Sequence, residues 1–273
     1  MDLTKLDVLS LWSAQIGYVL ICVLTMIALV FRRRPEKTIL ALMSASVMLH
    51  TVALGARWVR LDRVPVIGSY EMLSANVWGL MLAVTLVYWR LPRLRPVAAL
   101  LMPVVIMIMA WMLLKPNDVT GAPSTYDTAW LFVHIGFIKL FLGCAFIALG
   151  MAGVILLRNA RIGVERFASL PGDKVLDDRA YRFMALGLIF DTLGVVAGAI
   201  WAKDAWGRYW SWDTLETWSL VTWLSIGLML HVRASFKTPP RINSLLIVGV
   251  FLVAFFTFFG IPFVSTALHK GQI

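Results

Sequence analysis

Eight continuous apolar runs constrain this chain more than any other feature of its sequence. They lie at about 11–31, 38–57, 70–89, 96–114, 128–157, 183–202, 214–232 and 244–265. A helix needs about 20 mostly apolar residues to cross a bilayer, and the runs lack the alternating pattern of a membrane barrel. The sequence therefore predicts an all-α integral membrane protein. We expect a polytopic bundle of about eight transmembrane helices in a single domain, 1–273.

The composition agrees with a membrane protein and excludes a nucleic-acid-binding one. Hydrophobic residues make up 60% of the 273 and charged residues only 15%, well below the quarter typical of soluble domains. The formal net charge is +10, but its positive residues stand in short clusters between the apolar runs. Such clusters set the orientation of membrane helices, so we expect membrane lipid, and no nucleic acid, around this chain.

The basic clusters also predict the topology. Sixteen Lys and Arg follow the odd-numbered spans, and eight lie before the first span or after the even-numbered ones. The richer set is expected on the cytoplasmic side. Both termini are then outside, together with the loops 58–69, 115–127 and 203–213.

Three arginines are exceptions to this bias. Arg57, Arg60 and Arg63 lie in RWVRLDR, in or next to an outer loop. Contact with lipid headgroups is one interpretation. Binding of an anion is the other, because guanidinium groups pair well with carboxylates.

The outer stretch WGRYWSWD, residues 206–213, concentrates three tryptophans among charged residues. Tryptophan is enriched at membrane interfaces whatever the function, so an aromatic belt is one interpretation. Two histidines, His134 and His269, are expected on the same face. Imidazole is a good axial ligand for iron, and indole rings offer flat apolar surface. The other interpretation is therefore a platform for haem, whose propionates an arginine would pair with.

Two further histidines and two acids have competing interpretations. His231 closes span seven at the inner side, where a plain interface residue is also expected. His50 lies deep in span two, either as a functional group or as a helix–helix hydrogen bond. In the sequence DTLE, Asp213 and Glu216 match a helix-capping pattern, but they could also orient groups that face a ligand.

These residues resemble a known family. WGRYWSWDTLETWSLVTWLSIGLMLH is similar to the tryptophan-rich "WWD" signature of haem-handling membrane proteins. The eight spans and both outer histidines resemble the CcsA (ResC) branch, which acts in cytochrome c biogenesis. RWVRLDRVPVIGSYEML resembles the family's segment before span three, although Gly68 and Ser69 stand where members often have an asparagine.

The resemblance implies a function. Family members work with a CcsB/ResB-type membrane partner as a holocytochrome c synthase, also called a haem lyase. The pair takes part in haem export and presents haem b at the outer face of a bacterial inner or thylakoid-like membrane. There the haem vinyl groups are joined to the thiols of CxxCH in apocytochrome c.

The resemblance also implies site residues. His134 and His269 would ligate iron at an outer site, and His231 would ligate iron at an inner site whose second ligand comes from the partner. The resemblance gives His50 no ligand role, and a position lining the haem route is the expectation for it. Two groups of residues are expected to contact haem. The loop at 203–218 contributes Trp206, Gly207, Trp210, Trp212, Asp213, Glu216 and Trp218. The segment before and at the start of span three contributes Arg57, Arg60, Tyr70 and Glu71.

Two rival functions remain at the level of sequence. A CcmC-type protein would load haem onto a chaperone, but that type usually has six spans. A secondary transporter for a small organic ion would use Arg57 and Arg60 as its substrate site. It would be expected to show paired Gly/Pro interruptions in two halves of the chain, which the sequence lacks.

Overall fold

A computed structural model describes residues 2–31, 35–117, 124–126 and 128–264. Its helices are α1 (Leu3–Phe31), α2 (Glu36–Leu61), α3 (Ser69–Arg90), α4 (Ala98–Leu113), α5 (Ala129–Asn159), α6 (Asp173–Trp206), α7 (Thr214–Phe236) and α8 (Pro240–Phe255). Short 3₁₀ turns cover Pro92–Val97 and Ser124–Tyr126. A π-helical turn, Phe256–Gly260, continues α8 into α9 (Ile261–Val264).

The predicted fold class is confirmed. Among the described residues, eight helical segments are long and apolar enough to cross a membrane. The ends of two helices differ from the prediction. α1 begins at Leu3 instead of 11, and α6 begins at Asp173 instead of 183. Both extensions carry charged residues, which a search for apolar runs leaves out although they remain helical beyond the apolar region.

The described residues form two compact units. The first contains α1 to α4 and the segment Arg161–Pro171, with α1 packed on α2 and α4. Its core holds a buried hydrogen-bonded chain across three helices. The Tyr18 hydroxyl bonds with His50 Nδ1 at 3.1 Å, and His50 Nε2 bonds with Ser74 Oγ at 3.0 Å.

The second unit contains α5 to α9. Its largest helix contact is between α5 and α6. On α5, Phe146 packs against Phe251 of α8, and Phe141 packs against Phe258 of the π-helical turn. Arg233 on α7 donates to Asp177 Oδ2 on α6 from Nε at 3.0 Å and from Nη2 at 2.9 Å. Asn243 on α8 donates to the same oxygen at 3.2 Å. One carboxylate thus holds three helices together.

Asp191 is the opposite case on the same helix. It is 0% exposed, and neither of its carboxylate oxygens has a hydrogen-bond partner in the structure. A buried polar group without a partner costs about 1–3 kcal/mol, and an ionised one costs more. Asp191 therefore opposes folding, whereas Asp177 supports it.

We expect Asp191→Asn to raise the thermal unfolding midpoint of the purified protein, because it removes a carboxyl group that nothing compensates. Asp177→Asn is the matched variant on α6. It should lower stability, since it removes the charge that holds Arg233 and leaves that arginine with only the exposed Asp178 as its acidic partner. A lower midpoint for Asp191→Asn would show that this carboxyl makes a stabilising interaction.

Candidate functional site

His134 is fixed in position by the backbone of a neighbouring helix. It lies in the second turn of α5, a helix that the side chain of Thr128 caps by accepting from Trp130 N. His134 Nδ1 donates to the carbonyl oxygen of Gly194 on α6 at 2.7 Å. Because a carbonyl only accepts, Nδ1 carries the proton and Nε2 keeps its lone pair. This is the tautomer in which Nε2 can bind a metal.

A close approach of α6 makes this contact possible. A Cβ atom added to Gly198 would lie 2.7 Å from His134 Nδ1 and 2.9 Å from its Cε1. The ring therefore rests in the space that the missing side chain leaves. Gly194 and Gly198 form a small-xxx-small pattern, which permits helices to approach closely in membranes.

Trp201 links His134 to the tryptophan-rich stretch. The His134 and Trp201 rings stack with centroids 6.3 Å apart and planes inclined by 21°. The Trp206 ring packs edge-on against Trp201, with the two ring centroids 4.9 Å apart. Tyr126 also packs on Trp201, whose Nε1 donates to Thr125 O at 2.9 Å. We call Tyr126, His134, Trp201 and Trp206 the aromatic cluster.

The segment predicted as a loop at 203–218, here the tryptophan loop, is helical at both ends, because α6 continues to Trp206 and α7 begins at Thr214. Gly207 is the residue that ends α6. Gly207 has φ +78°, the left-handed conformation that glycine adopts at little cost, and its N–H bonds to Lys203 O. Lys203 Nζ donates to Gly207 O at 2.7 Å. The glycine of the signature is therefore required to turn the chain, which explains its place in the motif.

Asp213 and Glu216 shape the other end of the loop. Asp213 Oδ1 accepts from Glu216 N at 2.8 Å, which confirms the predicted helix cap. The return bond differs from a standard capping box, because Glu216 Oε2 accepts from Ser211 N at 2.6 Å and from Ser211 Oγ at 3.1 Å. Both acids are thus used to hold backbone and hydroxyl groups of the loop.

Between these two bonded ends, Trp212 is held in an unusual conformation. Its φ is +59°, which is rare for a bulky residue, and the side chain is 70% exposed. Strain of this kind persists only where the surrounding structure imposes it, and it is concentrated at functional sites. The Trp210 ring packs edge-on against Trp212, with centroids 5.8 Å apart. The buried indole N–H of Trp210 has no hydrogen-bond partner in the structure.

Trp218 and His231 lie further along α7. The Trp218 ring packs edge-on against Phe256 at the π-helical turn, with centroids 4.7 Å apart, and its carbonyl accepts from the buried Thr257. His231 is exposed. It lies on the same face of α7 as the exposed Leu224 and Leu228, and its Nε2 is 3.5 Å from Ser235 Oγ. The predicted ligand therefore projects from an apolar, uncovered face.

The remaining predicted residues lie in the first unit or outside the described range. Both ring nitrogens of His50 are engaged by Tyr18 and Ser74, the geometry of the helix–helix interpretation. Arg57, Arg60 and Glu71 belong to a buried group of charged residues, and Tyr70 lies against Arg57. His269 lies outside the described residues.

Sequence reasoning missed Trp201, Gly194 and Gly198. Trp201 lies within an apolar span, where a single tryptophan carries no signal of its own. The two glycines were detectable from their spacing of four on one helix face. Their partner on α5 was not, because contacts between distant helices leave no trace in the spacing of one chain.

Comparisons with known proteins agree on one family for this chain. The sequence model of the family described as cytochrome C assembly protein matches residues 66–269. The chain is similar to "Cytochrome c biogenesis protein CcsA" of Guillardia theta, with 28% identity over 243 residues, which is 81% of this chain and 80% of that one. CcsA of Gloeobacter violaceus is 28% identical over 303 residues, covering 89% of each chain.

A solved structure shares the fold. "Cytochrome c Heme Lyase CcmF" superposes with a TM-score of 0.74 over 95% of this chain at 17% sequence identity. This chain spans 47% of that protein's length. At this identity the likeness concerns the fold alone.

We expect Asp213→Ala to loosen the tryptophan loop, because loss of an N-cap costs about 1 kcal/mol and frees the end of α7 that Glu216 needs to reach Ser211. Hydrogen–deuterium exchange of peptides covering 206–218 should accelerate several-fold. Asp204→Ala, which removes an exposed acid from α6, is the control and should exchange like the unmodified protein. Equal exchange in the two variants would contradict a clamping role for Asp213.

Proposed function

This chain belongs to the cytochrome c assembly protein family, and we propose that it is the haem-handling subunit of a membrane cytochrome c synthetase. It is an integral membrane protein with a role in cytochrome c biogenesis. In the proposed role it takes part in haem export. It then presents haem b at the outer face of a bacterial inner or thylakoid-like membrane, for attachment to CxxCH of apocytochrome c.

The observation that carries this proposal is the joining of His134 to the signature through one aromatic cluster. A candidate iron ligand at residue 134 and a tryptophan at residue 206 both contact Trp201. An interfacial belt of tryptophans has no need of a histidine whose tautomer is fixed by a helix backbone. Both features suit a site that binds a flat, metal-centred substrate.

The loop fits a haem substrate in two further respects. Trp212 presents exposed aromatic surface in a conformation that the loop imposes. Trp210 retains an indole N–H without a partner, which could donate to an acidic edge of the substrate. Asp213 and Glu216 support the loop through the bonds described above, and Gly207 turns it. We assign these three to shaping the site, and Trp206, Trp210, Trp212 and Trp218 to contacting or backing the substrate.

Thioether formation adds a thiol of apocytochrome c across a vinyl group of haem. Both reacting groups come from the substrates, so this chain need not supply a nucleophile. Its contribution is placement, which can be worth several orders of magnitude in rate. His134, held by Gly194 and Gly198, would fix the iron on one side, and the tryptophan loop would fix the plane of the macrocycle. His269 is the proposed second outer ligand.

Four predicted contacts have weaker support. Arg57, Arg60, Tyr70 and Glu71 lie in the first unit, where the two arginines pair with acids of the same unit. Their contact with haem stays a prediction. His50 likewise stays a predicted lining residue of the haem route.

The exposed face of α7 supports a membrane partner. A histidine facing lipid would have only the long contact with Ser235 for its polar ring, which is unfavourable in hydrocarbon. A partner helix of CcsB/ResB type that covers Leu224, Leu228 and His231 would remove that cost. It would also bring the second ligand of the proposed inner haem site.

The outer site is tested by two variants that act on the same ring. We expect His134→Ala, and also Gly198→Ala, to reduce or shift the Soret absorption of the protein purified with its partner. The first removes the ligand, and the second pushes the ring out of its place. Gly249→Ala is the control, because a Cβ at Gly249 meets no atom within 4 Å.

Holocytochrome c yield in the same cells should fall at least tenfold for His134→Ala. Unchanged spectra in both His134→Ala and Gly198→Ala, in a folded complex that contains haem, would show that His134 is not a ligand. Absence of haem from the unmodified complex would overturn the proposed function as a whole.

The inner site is tested by His231→Ala. We expect this variant to lose part of the bound haem when it is purified with the partner, because one of two ligands is missing. Ser225→Ala on the same helix should keep the haem content, since its hydroxyl bonds only to Val221 O of its own helix. Equal haem content in the two variants would contradict a ligand role for His231.

A further inference from the structure

The π-helical turn that follows α8 contacts both helices that carry the proposed outer site. Phe256 packs edge-on against Trp218 of α7, with ring centroids 4.7 Å apart. Phe258 packs edge-on against Phe141 of α5, with ring centroids 5.8 Å apart. Phe141 follows His134 by about two turns of α5 and therefore lies on the same side of that helix. The turn thus joins the helix of the proposed iron ligand to the helix of the signature.

Thr257, the second residue of this turn, bonds to the backbone of two helices. A π-helical turn has wider i→i+5 hydrogen bonding than an α-helix, and such turns are frequently found at functional sites. In a membrane helix, threonine hydroxyls bond to the backbone groups that an irregular turn frees. Thr257 Oγ1 lies 2.9 Å from Val253 O on α8 and 3.3 Å from Trp218 O on α7.

A second buried hydroxyl, that of Thr222 on α7, meets Thr257. Both residues are 0% exposed, and their Oγ1 atoms are 2.8 Å apart. Thr222 Oγ1 also lies 2.9 Å from Trp218 O. Each hydroxyl has one hydrogen, and two oxygens at this distance attract each other only if a hydrogen lies between them. One threonine therefore donates to the other, and the accepting threonine donates to a backbone carbonyl.

This bond fixes the beginning of α7 relative to α8. The bonds of Asp213 and Glu216 join residues of the tryptophan loop to one another. They set the shape of the loop but not its distance from another helix. The hydroxyl pair joins two helices, and Phe258 packs the turn on α5. Together these contacts determine how far Trp218 lies from His134.

We propose that Thr257 is a positioning residue of the outer site. Its hydroxyl, bonded to Thr222, holds Trp218 and the tryptophan loop at a fixed distance from His134. Thr257 acts through these residues and not on the substrate, since its side chain is completely buried. The inference rests on the proposed function, because it places Trp218 and His134 in one haem site.

Hydrogen–deuterium exchange of the full-length protein, purified without added haem, tests the contact itself. Thr257→Val removes the hydroxyl and keeps the branched shape of the side chain. We expect peptides covering 206–222 to exchange about fivefold faster, which is the effect of losing one hydrogen bond. Adding Thr222→Val should change little more, because both substitutions remove the same bond.

Two further variants separate the hydroxyl from other effects of substitution. Thr257→Ser keeps the hydroxyl and should exchange like the unmodified protein. Thr25→Val is the matched control, because the buried Thr25 hydroxyl bonds to Ile21 O and Cys22 O of its own helix. Faster exchange in Thr257→Ser equal to that in Thr257→Val would overturn the hydroxyl as the cause.

Absorption spectra of the complex purified with its partner test the positioning role. We expect Thr257→Val to shift the Soret maximum and to lower holocytochrome c yield roughly threefold or more, because placement sets the rate. Thr257→Ser and Thr25→Val should keep both. A lower thermal unfolding midpoint in Thr257→Val, with an unchanged Soret maximum, would overturn the positioning role and leave a purely structural contact.

Failure of this inference differs from failure of the proposed function. An unmodified complex without haem would overturn the proposed function, and the positioning role with it, even if the exchange results hold. A haem-containing unmodified complex, together with equal spectra and equal exchange in Thr257→Val and Thr25→Val, would overturn the role of Thr257 alone.

Discussion

A polar side chain that is buried on folding has only the protein to bond with, and this constraint organises both units of the chain. Tyr18, His50 and Ser74 satisfy one another across three helices of the first unit. In the second unit, Asp177 gathers Arg233 and Asn243 from two other helices. These bonds fix the rotation of the six helices that they join about their axes, which apolar packing alone specifies weakly. The positions of all other side chains depend on those rotations.

Some buried polar groups of the described residues do not meet this constraint. Arg57 Nη2, Arg60 Nε, the Trp210 indole and both oxygens of Asp191 are buried without partners. Such groups are rare in native proteins, and each calls for an explanation. The Trp210 N–H lies in the tryptophan loop, where the proposed substrate would offer it an acceptor. For Asp191 no neighbouring feature points to such a group, and its cost to stability is the only consequence that the geometry supports.

The sequence predicts the elements well and their contacts poorly. Apolar runs locate the eight spans because a bilayer fixes their length, and DTLE locates the cap of α7 because a cap acts within four residues. The start of α6 at Asp173 was not predicted, because a charged sequence outside the hydrocarbon is typical of a loop even where it is helical. In a standard capping box Glu216 would bond back to the cap residue, but its carboxylate reaches Ser211 instead. Trp201 was missed entirely, since only the packing of α5 on α6 brings it to His134. The family resemblance pointed to His134, but only the structure shows the helix backbone that fixes its ring.

His134 and His231 are held in different ways, and this difference bears on where their partners come from. His134 is fixed by a carbonyl and a glycine of α6 and by the Trp201 ring, all within one unit. A rigid ring of this kind can hold an iron atom in one position while a substrate peptide approaches. His231 lies on an exposed face of α7 and has only a weak contact with Ser235. Among the described residues only this contact holds the ring, so the ligand geometry proposed there would have to come from a second protein packed on α7. In the proposed function, this chain thus builds most of the outer site, whereas a partner completes the inner one.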